Sequence, residues 1–146
     1  MKLQQLSLFS ENKPGHVIAP CRLLAREGID IRALSLADTQ RFGILRMIVS
    51  DWQEAKRLLE AAGSAVKVTE VVAVEVPDRP GGLADVLSLF EGSSINIEYM
   101  YAFPFLRGEK AVLIFRFDDP DAAIVKLQER GVNVVDSIKL YDRVEK

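Results

Sequence analysis

Val74-Glu75-Val76-Pro77-Asp78-Arg79-Pro80-Gly81-Gly82-Leu83 carries the chain out of an apolar strand, through a Pro-Gly turn and into a helix. Asn12-Lys13-Pro14-Gly15-His16-Val17 makes the same turn earlier, and Pro14-Gly15 and Pro80-Gly81 stand 66 residues apart. At that offset Leu24 falls on Phe90, Ile29 on Ile95, Asp30 on Asn96 and Ile31 on Ile97. Farther along the offset becomes 68, so that Val49 meets Phe117, Asp51 meets Asp119, Leu59 meets Leu127 and Gly63 meets Gly131. A slip of two residues therefore sits between the matched blocks, in a longer second hairpin around Pro104 to Lys110. Turns and apolar positions recurring at a fixed period mark a duplicated unit. The duplication predicts one domain over residues 1–69 and another over 70–146.

Each copy has the same order of elements. Leu6 and Leu8 alternate with polar Gln5 and Ser7, the pattern of a half-buried strand, and their counterparts are Val72 and Val74 in the run Val71 to Val76. Leu83, Val86, Leu87 and Phe90 then form a single helical stripe, matched in the first copy by Val17, Pro20, Cys21 and Leu24. Pro20 lacks an amide hydrogen and predicts a bent or delayed helix start. Strands from Ile29 to about Leu36 and from Ile95 to about Phe105 lead through hairpins into Gly43–Val49 and Ala111–Phe117. Asp51 and Asp119 are placed to cap a second helix, with Pro120 at its first residue. Gly63 and Gly131 end those helices. Short strands near Ala65–Val68 and Val132–Leu140 close the copies. The result is an α+β fold of two ferredoxin-like βαββαβ repeats with antiparallel sheets. Only Thr69 and Glu70 separate the copies, too little for a flexible spacer, which predicts that the domains are docked together.

Composition narrows the function. Of 146 residues, 49% are apolar and 27% charged, and 19 basic against 21 acidic residues give a formal charge of −2. That is a globular composition with no electrostatic drive toward nucleic acid or anionic membrane. No apolar run approaches the length of a bilayer span and no signal-peptide core is visible, so a cytoplasmic location is expected. One cysteine and one histidine exclude a disulfide framework and His-pair or Cys-rich metal sites. Phosphate-loop, dinucleotide and Gly-x-Ser-x-Gly patterns are absent, so neither a cofactor nor catalysis is expected. Asp118, Asp119 and Asp121 read as a capped helix start with acid in its first turn, not as a cation cluster.

The loop chemistry suits a small zwitterion. An Asp or Asn before Pro-Gly accepts from an ammonium group, and the following helix N-terminus offers amides to a carboxylate. Asp78 would then take the amine and the amides of Gly81 to Leu83 the carboxylate, with bare glycines admitting the ligand. The same loop also serves as a plain strand-to-helix turn.

Val74 to Leu83 with Ser94-Ile95-Asn96-Ile97-Glu98-Tyr99-Met100-Tyr101-Ala102 resembles the ACT domain, a ferredoxin-like module that binds amino acids and regulates metabolic enzymes. The resemblance spans essentially the whole chain as two repeats without a catalytic domain. It is close in the second copy and weaker in the first, at Asn12 to Val17 and Ile29-Asp30-Ile31. It implies ligand sites where the loop of one domain meets the second strand of a neighbour. Carried over, one site comprises Asp78, Arg79, Pro80, Gly81, Gly82 and Leu83 with Ile29, Asp30 and Ile31. The other comprises Asn12, Pro14, Gly15, His16 and Val17 with Asn96 and Ile97. The Asp78 site keeps the full loop, whereas the other loses the charge at Asn12 and places the His16 ring where Gly82 stands. The resemblance also implies a homo-oligomer and allosteric regulation of amino-acid metabolism, through a bound amino acid or through docking to an enzyme without a ligand.

Two rival readings carry little weight. Tyr99, Tyr101, Phe103 and Phe105 alternate as RNA-stacking aromatics do, yet Glu109, Ala111 and Ile114 occupy the places where the next strand would need aromatics. The aromatics read instead as core or interface. Cys21 lies five residues from His16, off its helical face, and reads as a buried small hydrophobe. Trp52 reads as surface or interface packing.

Overall fold

The structure is a computed structural model that describes residues 1–39, 41–107 and 109–136. Its elements run β1 (Lys2–Glu11), α1 (Ile18–Arg26), β2 (Ile31–Thr39), β3 (Phe42–Val49), α2 (Trp52–Ala61), β4 (Ala65–Pro77), α3 (Gly82–Ser88), β5 (Ile97–Arg107), β6 (Lys110–Phe117) and α4 (Pro120–Glu129). The chain divides into two compact units: Gln4–Thr69, and Glu70 onward together with Met1–Leu3. Lys2 fastens the N-terminus to the second unit by ion pairs to Asp121 at 3.0 Å and Glu70 at 3.2 Å. Hydrogen bonding to Asp121 and then Glu70 raises the Lys2 pKa above its ordinary value.

In the first unit the strand order is β2-β3-β1, with β4 next to β1; in the second it is β4-β6-β5. The β1–β3, β2–β3, β4–β6 and β5–β6 pairings are all antiparallel. A backbone bridge joins Val74 to Val134, beyond which the sequence-predicted strand through Leu140 passes outside the described residues.

The registers of the two units superpose. Ile31 faces Val49 and Ile97 faces Phe117, and each edge strand shifts register at the next residue. Asp30 and Ser50 exchange two hydrogen bonds, of 2.9 and 3.0 Å, and Asn96 and Asp118 do the same at 3.1 and 2.8 Å. These clasps hold residues 29–30 and 95–96 out of the ladder, which is why β2 and β5 begin two residues later than the apolar pattern suggests. A second irregularity in the other hairpin locates the slip: Ala102 faces Leu113, but Leu106 faces Ala111. Over that stretch β5 advances four residues while β6 advances two, so the extra pair lies in β5.

Each unit has its own apolar core under its helices. Leu6, Leu8, Leu24, Met47, Ala55 and Leu59 anchor the first, with Trp52 packed at its margin. Val72, Val74, Val86, Phe115, Phe117 and Leu127 anchor the second, where the Phe90 and Phe117 ring centroids lie 5.1 Å apart. Asp51 accepts from the amide of Glu54 and Asp119 from that of Ala122, with Pro120 opening α4. Gly63 and Gly131 take the left-handed conformation that ends each second helix.

Several expectations need correction. Gln5 and Ser7 are buried, joined by a 3.2 Å hydrogen bond, so β1 is covered on both faces and not on one. Ala65–Val68 and Val71–Val76 are one continuous strand, because Val66, Val68, Thr69 and Val71 favour extended backbone and no Gly or Pro interrupts them. Phe90 reaches the core from the turn after α3. Cys21 is only partly buried, and Val17 is exposed. The aspartates near α4 are as the sequence suggests, a cap at Asp119 and acid in the first turn at Asp121, with Asp118 holding Asn96 and Asp121 pairing with Lys2.

Asp51→Ala and Asp119→Ala should each lose about 1 kcal/mol of stability, since one orphan amide per helix loses its acceptor. Urea denaturation should show lower midpoints with unchanged slopes.

Candidate functional site

The two Pro-Gly loops share a backbone. Gly15 and Gly81 both adopt positive φ, at 87° and 85°. The amide of Asn12 donates to the Arg41 carbonyl at 3.1 Å, and the amide of Asp78 donates to the equivalent Glu109 carbonyl at 3.2 Å. Past the glycine the two loops diverge. In the second unit α3 starts at once, with the Gly82 amide donating to the Arg79 carbonyl at 3.0 Å. In the first unit residues 14–17 remain a turn and α1 starts at Ile18, two residues later in the repeat.

Pro20 accounts for the delay. Had α1 begun at His16, as α3 begins at Gly82, Pro20 would stand at the fifth helical residue. There its missing amide and its ring would break the bond to residue 16. Starting at Ile18 puts Pro20 at the third position, where an amide has no helical partner in any case.

The extra turn opens a cleft of about 250 Å³ in the first unit. On one side lie Asn12, Lys13, His16 and Val17 of the loop; on the other lie Leu36 and Asp38 of β2. Ser10, Glu11 and Gly43 complete it. Asn12 Nδ2 donates to Asp38 Oδ2 at 3.4 Å, and Lys13 Nζ pairs with Glu11 Oε2 at 3.2 Å. The cleft thus holds two carboxylates, one ammonium, an imidazole and two aliphatic walls.

The second loop is arranged differently. Asp78 is exposed, and Arg79 turns toward α3, where its Nη2 pairs with Asp85 at 2.9 Å and its Nη1 donates to the Pro80 carbonyl. A Cβ on Gly82 would collide with the Pro77 carbonyl oxygen. The bare backbone there admits the chain's own carbonyl, a purpose different from the ligand access inferred from the sequence. The Gly82 amide is committed to the Arg79 carbonyl, as the His16 amide of the first loop is to the Lys13 carbonyl at 3.4 Å. Pro80 and Gly81 are exposed, and Leu83 packs against the second core.

The remaining candidates are placed in their own units. Ile29 is buried in the first core and Ile31 packs beside it. Ile97 packs beside the second core. Asp30 pairs with Arg32 at 3.1 Å, and Asn96 is exposed with its backbone clasped by Asp118. Pro14 and Gly15 form the exposed turn above the cleft. Of the sequence-predicted residues, the cleft collects Asn12, His16 and Val17. It adds Lys13 of the same loop, and Ser10, Glu11, Leu36, Asp38 and Gly43, which the loop motif alone could not supply. Tyr99 and Tyr101 are half-buried and Phe103 is buried, so they do not form an open stacking row; the Phe105 side chain lies outside the described residues.

Over residues 1–143 the sequence matches the model of a family described as an ACT domain pair. The chain belongs to this family. A Bacteroides thetaiotaomicron protein of known crystal structure is 38% identical over 97% of both chains, with a TM-score of 0.90. The ligand-free regulatory subunit of aspartate kinase from Thermus thermophilus shares the fold at 19% identity and a TM-score of 0.63, covering 86% of this chain and 91% of that one. E. coli aspartokinase III in complex with lysine and aspartate shares it at 18% identity and 0.53, over 88% of this chain and 31% of that one. Nothing among the curated proteins matches.

The ACT pair has no group of three or more His, Cys, Asp or Glu placed to hold a metal among its described residues. No helix among them is long and apolar enough to cross a membrane. Gly82→Ala should destabilise the second ACT unit by on the order of 3 kcal/mol, because the Pro77 backbone must move to admit a methyl group. Thermal unfolding checks this, and an unchanged midpoint would contradict the packing described.

Proposed function

We propose that this ACT pair is a non-catalytic regulatory module that binds a small amino acid and conveys its level to a metabolic enzyme. The observation that carries the reading is the cleft beside Asn12–Val17. It places carboxylates and an ammonium group within one small space, the complement of a zwitterion. The fold relatives support it: one, matched over 91% of its length, is a regulatory subunit, and another is an aspartokinase with amino acids bound. The mechanism is a population shift, in which the ligand favours whichever arrangement of the protein closes the cleft around it.

A second reading has its own observation. Leu34 and Leu36 on the edge strand β2 are 54% and 52% exposed, and an apolar edge of that kind suits docking to an enzyme or to a second copy of the chain without any small ligand.

A thermal-shift screen against the twenty amino acids separates the two. A ligand at a hundred times its dissociation constant stabilises by about 2.7 kcal/mol, enough to move the midpoint by several degrees. One or a few responsive amino acids are expected. Silence across the panel, with a stable protein partner recovered, would replace the first reading with the second.

A further inference from the structure

We infer that Asp38 is the ammonium anchor of the cleft and that Gly43 sets its depth, so that the first unit takes a small aliphatic α-amino acid and the second does not. The inference rests on the amino-acid-binding reading above and adds the residues, the unit and the ligand class.

The duplication supplies the comparison. Asp38 faces Gly43 across the first hairpin, and Leu106 faces Ala111 at the same place in the second. On the loops, Asn12 stands where the second unit has Asp78. The first unit therefore carries its acid on the strand and the second on the loop. Asn12 is not a weakened Asp78: its amide nitrogen donates to Asp38 and holds that carboxylate at the cleft. The charge that seemed lost from the first loop has moved across the cleft to β2.

Lys13 supplies the opposite charge. Its counterpart Arg79 is drawn onto its helix by Asp85, but the first helix has Ala19 at that place, so nothing there draws Lys13 away from the cleft. Lys13 pairs with Glu11, and both side chains are more than half exposed. An ion pair so exposed is weak, so the ammonium can turn to a ligand carboxylate at little cost. With its α-amino group on Asp38 and its α-carboxylate on Lys13, a ligand would lay its side chain between Val17 and Leu36. Both walls are aliphatic, and the residue matching Leu36 in the second unit is Ala102.

Gly43 is the floor. A Cβ there would meet its nearest neighbours, Leu36 Cδ1 and Ser10 Oγ, at 3.6 Å, an ordinary contact, and the residue has no positive φ. A methyl group is therefore tolerated by the fold and takes volume from the cleft alone. Ala111 already carries that methyl in the second unit.

The test is isothermal titration of the full chain with L-alanine, L-valine and L-leucine, and with isovalerate, which lacks the ammonium group. At least one of the amino acids should bind and isovalerate should not. Asp38→Asn and Gly43→Ala should each weaken the binding tenfold or more while unfolding at or above the wild-type temperature. Unchanged affinity in both variants overturns the inference, as does loss of binding on Asp78→Asn with Asp38→Asn inert. If the twenty-amino-acid screen finds a ligand but these three are silent, the aliphatic assignment falls and the sensor reading stands. If no amino acid stabilises the protein, the sensor reading falls and takes this inference with it.

Discussion

Pro20 has no amide hydrogen to give, and the difference between the two halves of the chain stems from it. The backbones up to the Pro-Gly turns are alike: the same left-handed glycine, the same clasp from the loop amide to the opposite hairpin, the same register along the strands. A helix cannot hold a proline in its fifth position without losing a hydrogen bond and meeting a steric clash, together worth about 3 kcal/mol. The first helix therefore starts late, and the residues released from it widen the loop over the end of β2. The second helix has no such constraint and closes on Pro77 so tightly that only glycine fits at position 82.

In the proposed function, binding depends on the space each loop leaves open. Where the helix starts late, a cleft exists and its charges come from three segments: the loop, the end of β2 and the end of β1. Where it starts early, the arginine of the loop and the acid of the first helical turn satisfy one another. A duplicated fold can in this way keep one scaffold twice and use its two copies differently.

Much of the fold was legible in the sequence because its signals are local. The aspartate caps, the terminating glycines and the delaying proline each act within a few residues and appear where expected, and the repeat prints most of these signals twice. Strand merging at Thr69-Glu70 and the burial of Gln5 and Ser7 were not legible, since alternation reports polarity but not what covers a face. The site was legible only in part. Asn12, His16 and Val17 belong to a recognisable loop, but Asp38 and Gly43 reach it through the β2–β3 register, which no local pattern records. At Gly82 the approach of the Pro77 carbonyl was not legible either, because a bare backbone position looks the same in sequence whether a ligand or the chain's own carbonyl approaches it.

The most direct measurement is a 15N-HSQC titration of the intact protein with L-alanine, L-valine and L-leucine in turn. The amides of Asn12, Lys13, His16, Asp38 and Gly43 should shift progressively, while those of Asp78, Gly82, Leu106 and Ala111 hold still. Shifts confined to the second loop, or none in either with all three, would contradict an aliphatic amino-acid site in the first cleft.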